Sequence, residues 1–97
     1  MHARLSTYRS DDANGLLEGF ESVTGDLEHV DGFSGAYFLL DRQSGKAASI
    51  TLWDSEAALL ASVAQADELR ERGASAGGAS IESVDHFEVV LTAGKTG

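Results

Sequence analysis

The chain has 97 residues, no cysteine, and sixteen acidic against seven basic side chains, for a formal charge of -9. That balance argues against a nucleic-acid partner or an anionic membrane surface, both of which call for a basic stripe. The missing cysteines exclude disulfides and thiolate metal sites. A domain this short buries only roughly 60–65% of its unfolded surface, so self-association is an obvious way to add buried area.

Residues 2–9 alternate in the manner of a strand, with Ala3, Leu5 and Thr7 on one side and His2, Arg4, Ser6 and Tyr8 on the other. Met1 to Ser10 lacks the apolar stretch of a signal peptide, and no apolar run approaches the roughly 18 residues of a membrane span. These features predict a soluble, cytoplasmic protein. Ser10, Asp11 and Asp12 offer N-caps for a helix over about 12–29, whose apolar positions are Leu16, Leu17, Phe20, Val23, Leu27 and Val30. Gly15, Gly19 and Gly25 each weaken it by about 1 kcal/mol against alanine, so it depends on tertiary packing.

A turn at 31–35 leads into a second strand, about 33–41, and Arg42-Gln43-Ser44-Gly45 makes a hairpin with glycine at the position needing positive φ. The third strand, about 46–53, carries Ala48, Ile50 and Leu52 on one face and Ala47, Ser49, Thr51 and Trp53 on the other. Asp54 or Ser55 caps a helix over about 56–72, with Gly73 as its C′ residue. Residues 73–80 read as a flexible loop whose glycines would permit a lid. The fourth strand spans about 81–92.

The order β-α-β-β-α-β is the ferredoxin-like pattern of an α+β domain: a four-stranded antiparallel sheet, strands one and three central, both helices on one face. One domain over residues 1–97 is expected. The apolar parity (Leu5; Ile50, Leu52; Phe87, Val89, Leu91) is expected to meet the helices. The second strand is apolar on both parities, which calls for cover on both sides, and a second copy of the sheet would supply it as a homodimer. The remaining face collects His2, Arg4, Ser6, Tyr8, Ser49, Thr51, Trp53, His86 and Glu88, a mixture that suits the wall of a small-molecule cavity better than a dry core.

The run Gly32-Phe33-Ser34-Gly35, then Ser49-Ile50-Thr51-Leu52-Trp53-Asp54-Ser55-Glu56-Ala57, and the phrase Val84-Asp85-His86-Phe87-Glu88-Val89 resemble the antibiotic biosynthesis monooxygenase family of dimeric α+β barrels. The resemblance in layout covers nearly the whole chain. It implies a sheet-to-sheet homodimer with a cavity between each sheet and its helices or partner. It also implies either cofactor-free oxidation of aromatic quinols, without metal or flavin, or degradation of haem. The haem-degrading branch uses an asparagine on strand one, the strand-three tryptophan and a helix histidine. Here strand one has no asparagine, helix 56–72 has no histidine, and only Trp53 matches, so haem degradation is disfavoured. The quinol-oxidising branch can carry an asparagine before the tryptophan; Ser49 stands there.

The expected activity is therefore a cofactor-independent, monooxygenase-like oxidation of a small aromatic or quinol substrate. Trp53 is a candidate to stack on a planar ring, and His86 is a candidate general base because its pKa lies near neutrality. Arg4, Tyr37, Ser49, Thr51 and Glu88 are candidate substrate contacts, though Arg4 and Glu88 would equally serve as a plain cross-strand pair. A metal site is not expected, since His2, His86 and Glu88 lack a ligand spacing. The alternative is a non-catalytic dimeric module that binds a small apolar ligand or a partner.

Overall fold

The computed structural model describes residues 1–94. Its elements are β1 (His2–Arg9), α1 (Ala13–Leu27), β2 (Phe33–Leu40), β3 (Lys46–Trp53), α2 (Glu56–Ala61), α3 (Val63–Ala76) and β4 (Ser80–Glu88). The strands form one antiparallel sheet in the order β2-β3-β1-β4, so the ferredoxin-like arrangement expected of the α+β pattern is present. The caps follow local chemistry. Asp12 accepts from the Gly15 amide at 2.9 Å to start α1, and Ser55 accepts from the Ala58 amide at 3.1 Å to start α2. Gly45 sits at φ 78° in the β2–β3 hairpin, where its carbonyl accepts from the Ser10 amide at 2.8 Å.

The sheet presents its faces in the opposite sense to that expected from apolar parity. Under the helices lie four cross-strand rows, in the order β2, β3, β1, β4: Phe33–Trp53–His2–Glu88, Ala36–Thr51–Arg4–His86, Phe38–Ser49–Ser6–Val84 and Leu40–Ala47–Tyr8–Ile81. Leu5, Ile50, Leu52 and Phe87 point away from the helices. β4 ends at Glu88, four residues early, so Val89 and Leu91 lie beyond it; Val89 still donates its amide to the Met1 carbonyl at 2.9 Å. Polarity misleads here because the inner polar groups satisfy one another: Tyr8 Oη and Ser49 Oγ are 2.8 Å apart, and the Trp53 indole donates to Thr51 Oγ1 at 3.0 Å. A buried hydroxyl with a partner costs little, whereas one without a partner is expensive.

Two apolar clusters hold the helices to this face. One joins Val23, Leu27 and Val30 to Trp53, Leu59 and Leu69; the other joins Leu16, Phe20 and Ala74 to Tyr8 and Ala47, with Phe38 touching both. The helices approach closely at glycine. A Cβ on Gly19 would overlap the Gly73 carbonyl oxygen, and one on Gly77 would overlap the backbone of Leu16. Gly73 is therefore a packing residue inside α3 rather than its terminus. The expected loop over 73–80 is largely the last turn of that helix, with Gly73, Ala74 and Gly77 buried.

The single helix expected over 56–72 is two. It breaks at Ser62, where the Arg4 guanidinium bonds the Leu59 carbonyl at 3.0 Å and Ser62 Oγ at 3.2 Å. A side chain inserted into the carbonyl ladder is a recognised cause of such breaks.

Candidate functional site

Between the two clusters the packing is incomplete. A cavity remains whose floor is Arg4, Ser6, Tyr8, Phe38, Ser49 and Thr51 from the sheet, and whose roof is Phe20, Val23, Leu27, Ala66, Leu69, Arg70 and Gly73 from the helices. The space open to the centre of a water molecule is about 40 Å³, room for roughly three waters at ~10–15 Å³ each. Aromatic rings form one wall: Phe20 meets Tyr8 edge-on at 5.3 Å between centroids and lies tilted against Phe38 at 4.8 Å.

Arg4 dominates the polar wall. It is 3% exposed and lies 5.5 Å from the Trp53 ring centroid, within cation–π range. Its Nε donates to His86 Nε2 at 3.2 Å and its Nη2 to Leu59 O and Ser62 Oγ, while Nη1 is buried with no partner among the described residues. Burial, and then the neighbouring Arg70, lower the Arg4 pKa from its ordinary value, with Asp67 opposing. Guanidinium stays charged in proteins nonetheless. Arg70 enters from α3, donating to Ser6 Oγ at 3.1 Å and to Asp67 at 2.7 Å.

Of the residues singled out from the sequence, Arg4, Ser49 and Thr51 meet in the cavity wall. Trp53 is wholly buried behind Arg4 and Thr51, packed edge-on against Phe33 at 5.7 Å. His86 stands outside the cavity at the β4 edge, its Nε2 engaged by Arg4, which assigns the proton to Nδ1. Its pKa is lowered by partial burial first, then by Arg4 and Arg70, against the opposing pull of Asp67 and Asp85. Glu88 is exposed and opposite His2, not Arg4, in a surface groove with Glu56, Leu60 and Phe87. Tyr37 is on the other face of the sheet, 64% exposed.

Ser6 and Tyr8, grouped with Arg4, Ser49 and Thr51 on the expected cavity face, also line it; the residues not anticipated are Phe20, Phe38 and above all Arg70. A signal for Arg70 was present: Ala66, Leu69, Arg70 and Gly73 fall at i, i+3, i+4 and i+7, the spacing of one buried helix stripe. Among the described residues no group of three or more His, Cys, Asp or Glu side chains is arranged to hold a metal ion.

No family model matches the chain, and no curated protein matches it. Solved structures do. A protein of Deinococcus radiodurans described as an antibiotic biosynthesis monooxygenase superposes with a TM-score of 0.72 at 14% identity, covering 100% of both chains. The chain has the fold of the antibiotic biosynthesis monooxygenases. SnoaB, a cofactor-independent oxygenase from Streptomyces nogalater, superposes with a TM-score of 0.72 at 18% identity over 94% of each chain. The haem degrader MhuD of Mycobacterium tuberculosis, solved with two haems in its active site, does so with a TM-score of 0.70 at 22% identity over 97% of this chain and 100% of its own.

Haem does not fit the residues present. The cavity is far smaller than a porphyrin, α2 and α3 present no histidine to iron, and the strand-one residues facing the cavity are Arg4, Ser6 and Tyr8, with no asparagine among them. No helix among the described residues is long and apolar enough to cross a membrane.

Proposed function

We propose that the protein is a cofactor-independent, monooxygenase-like enzyme acting on a small aromatic or quinol substrate in the cavity between sheet and helices. The observation that carries this reading is the cavity itself: aromatic walls, a few oriented hydroxyls and a buried cation in a fold shared with a cofactor-independent oxygenase. For a one-ring quinol, the quinol and dioxygen together would give a hydroxyquinone and water. One oxygen atom enters the ring, forming a new carbon–oxygen bond, and the other leaves as water with two of the substrate's hydrogens. The quinol supplies every electron, so no flavin or metal is required by the balance.

On this reading Thr51 and Ser49 orient the substrate hydroxyl, Phe20 and Phe38 hold its ring, and Trp53 fixes the position of Arg4 and Thr51. His86 acts through Arg4 rather than on substrate, because its Nε2 is already an acceptor for the Arg4 Nε–H. Tyr37 and Glu88 take no part in that cavity. Oxygen uptake with a panel of mono- and bicyclic quinols tests the proposal. Turnover above spontaneous oxidation, reduced in Trp53→Phe and Thr51→Val, supports it. Uptake no faster than the buffer blank with every quinol sinks it and leaves a binding module.

We also propose that the sheet face opposite the helices pairs with a second copy of the chain, inside a cytoplasmic setting. Tyr37, Leu39 and Phe87 are 64%, 48% and 51% exposed there, beside the apolar Leu5, Ile50 and Leu52. Asp85 is the one charged side chain in the three rows that hold these residues, with Arg9 and Lys46 in the next row at the end of the face, so two copies could meet there despite a net charge of -9 each. Sedimentation showing a folded monomer at micromolar concentration would count decisively against it.

A further inference from the structure

The chain has one asparagine, Asn14, and the residue after it is glycine. An asparagine side chain is chemically labile, and a following glycine makes it most so. The backbone nitrogen that attacks the amide carbon is then flanked by an α-carbon with no Cβ, on a chain that turns freely. The structure places Asn14 exposed in the first turn of α1. The Gly15 amide belongs to the set that every helix start leaves without a backbone partner. Its bond is instead to the Asp12 carboxylate, at 2.9 Å.

The same cap requires the glycine. A Cβ at position 15 would overlap Asp12 Oδ2 and lie 3.2 Å from the Ala76 carbonyl oxygen. A larger residue would push aside the carboxylate that starts the helix, so local packing holds a reactive pair in place. Arg42, in the β2–β3 hairpin, donates to Asn14 Oδ1 at 2.8 Å. A carboxylate at position 14 would keep that contact as a charge-assisted bond, roughly twice as strong as a neutral one. It would also put negative charge into the first turn of α1, which holds none as it stands. Glu18, one turn further on, opposes it.

We propose that Asn14 deamidates spontaneously, at a rate gated by the Asp12 cap, to a carboxylate that pairs with Arg42. The Gly15 nitrogen gives its proton to solvent hydroxide and attacks Asn14 Cγ. The new carbon–nitrogen bond closes a succinimide ring as the Cγ–Nδ2 bond breaks, and ammonia leaves with a proton taken from water. Water then opens the ring at either carbonyl, leaving aspartate or isoaspartate. The sum is asparagine and water to aspartate and ammonia, with nothing oxidised or reduced. Regular helix holds the Gly15 nitrogen away from Cγ, so the reaction runs from the frayed first turn, and the Asp12–Gly15 bond sets how often that turn frays. The site shares no residue with the cavity and is independent of the oxygenase reading.

The test is mass spectrometry of the folded chain, intact and as peptides, during incubation at pH 8. The wild-type chain should gain a dalton at Asn14 and release ammonia over days. Asp12→Ala should do so about fivefold faster, the fold-change of a lost N-cap. Asp12→Ser keeps a cap and should stay near the wild-type rate, and Asn14→Gln should not change on that timescale. The loss of thermal midpoint on Arg42→Met should be larger in the Asn14→Asp chain than in wild type. A wild-type mass unchanged after weeks overturns the inference, as does a gain placed at Gln43 or Gln65. Equal rates in wild type and Asp12→Ala overturn the gating, and an equal midpoint loss in the two backgrounds overturns the pairing with Arg42.

Discussion

The inner and outer faces of the same four strands invite comparison because composition assigns them to the wrong sides. The inner face carries an arginine, two serines, a threonine, a tyrosine, two histidines and a glutamate, yet Arg4, Ser6, Tyr8, Ser49 and Trp53 are all buried. The outer face carries leucine, isoleucine, tyrosine and phenylalanine, yet no helix covers it. Burial followed partnership rather than polarity. Arg4, Ser6, Tyr8, Ser49 and Thr51 each reach a neighbour in another cross-strand row or on a helix, whereas the outer rows are mostly apolar and no helix covers them.

The comparison is broken most severely at Trp53. Trp53→Ala should destabilise the chain by about 3–5 kcal/mol, as large buried aromatics do, with cavity and Arg4 placement lost together; urea titration measures it. Gly19→Ala is next. It places a Cβ against the Gly73 carbonyl and should cost about 1–3 kcal/mol even though alanine is the better helix former. A neutral or stabilising result would show that α1 and α3 can separate without loss.

Tyr8→Phe leaves the Ser49 hydroxyl without its partner and should cost about 1 kcal/mol in thermal or chemical unfolding. On the outer face, Leu39→Ser and Phe87→Ser should change monomer stability by only about 0.5 kcal/mol. Their effect should appear instead in sedimentation, as loss of self-association. An outer-face serine that destabilises as much as an inner-face change would erase the proposed distinction.

The smallest expected effect is electrostatic. The folded pKa of His86 lies below its ordinary value of 6.5, so the unfolded chain binds more protons between the two values. Its contribution to stability is complete above that ordinary value and is lost as pH falls through the window beneath it. His86→Gln should flatten that part of the stability profile while leaving the stability at pH 8 nearly unchanged.

Much of the fold was legible in the chain. The residues of β1 and β3 match the alternation residue for residue, and the hairpin glycine and the caps Asp12 and Ser55 fall where their chemistry puts them. The cavity wall was legible in part, since Arg4, Ser49 and Thr51 share one parity. Residue type groups Tyr37 and Glu88 with them, but type carries no information about which row a side chain joins. Opposite charge pairs Arg4 with Glu88, but the β1–β4 register sets it opposite His86.

Alternation by itself determined which residues share a face, because the period of a strand is two whatever surrounds it. It could not determine which face the helices choose. That depends on whether polar side chains find partners once buried, and those partners (Leu59 O, Ser62, Arg70) come from helices more than fifty residues away in sequence. The same distance explains the break at Ser62, which local propensity gives no reason to expect and which the Arg4 guanidinium accounts for. Strand rhythm is a local property and was read from the chain; the inside of this protein is a set of long-range hydrogen bonds, and only the tertiary structure decided it.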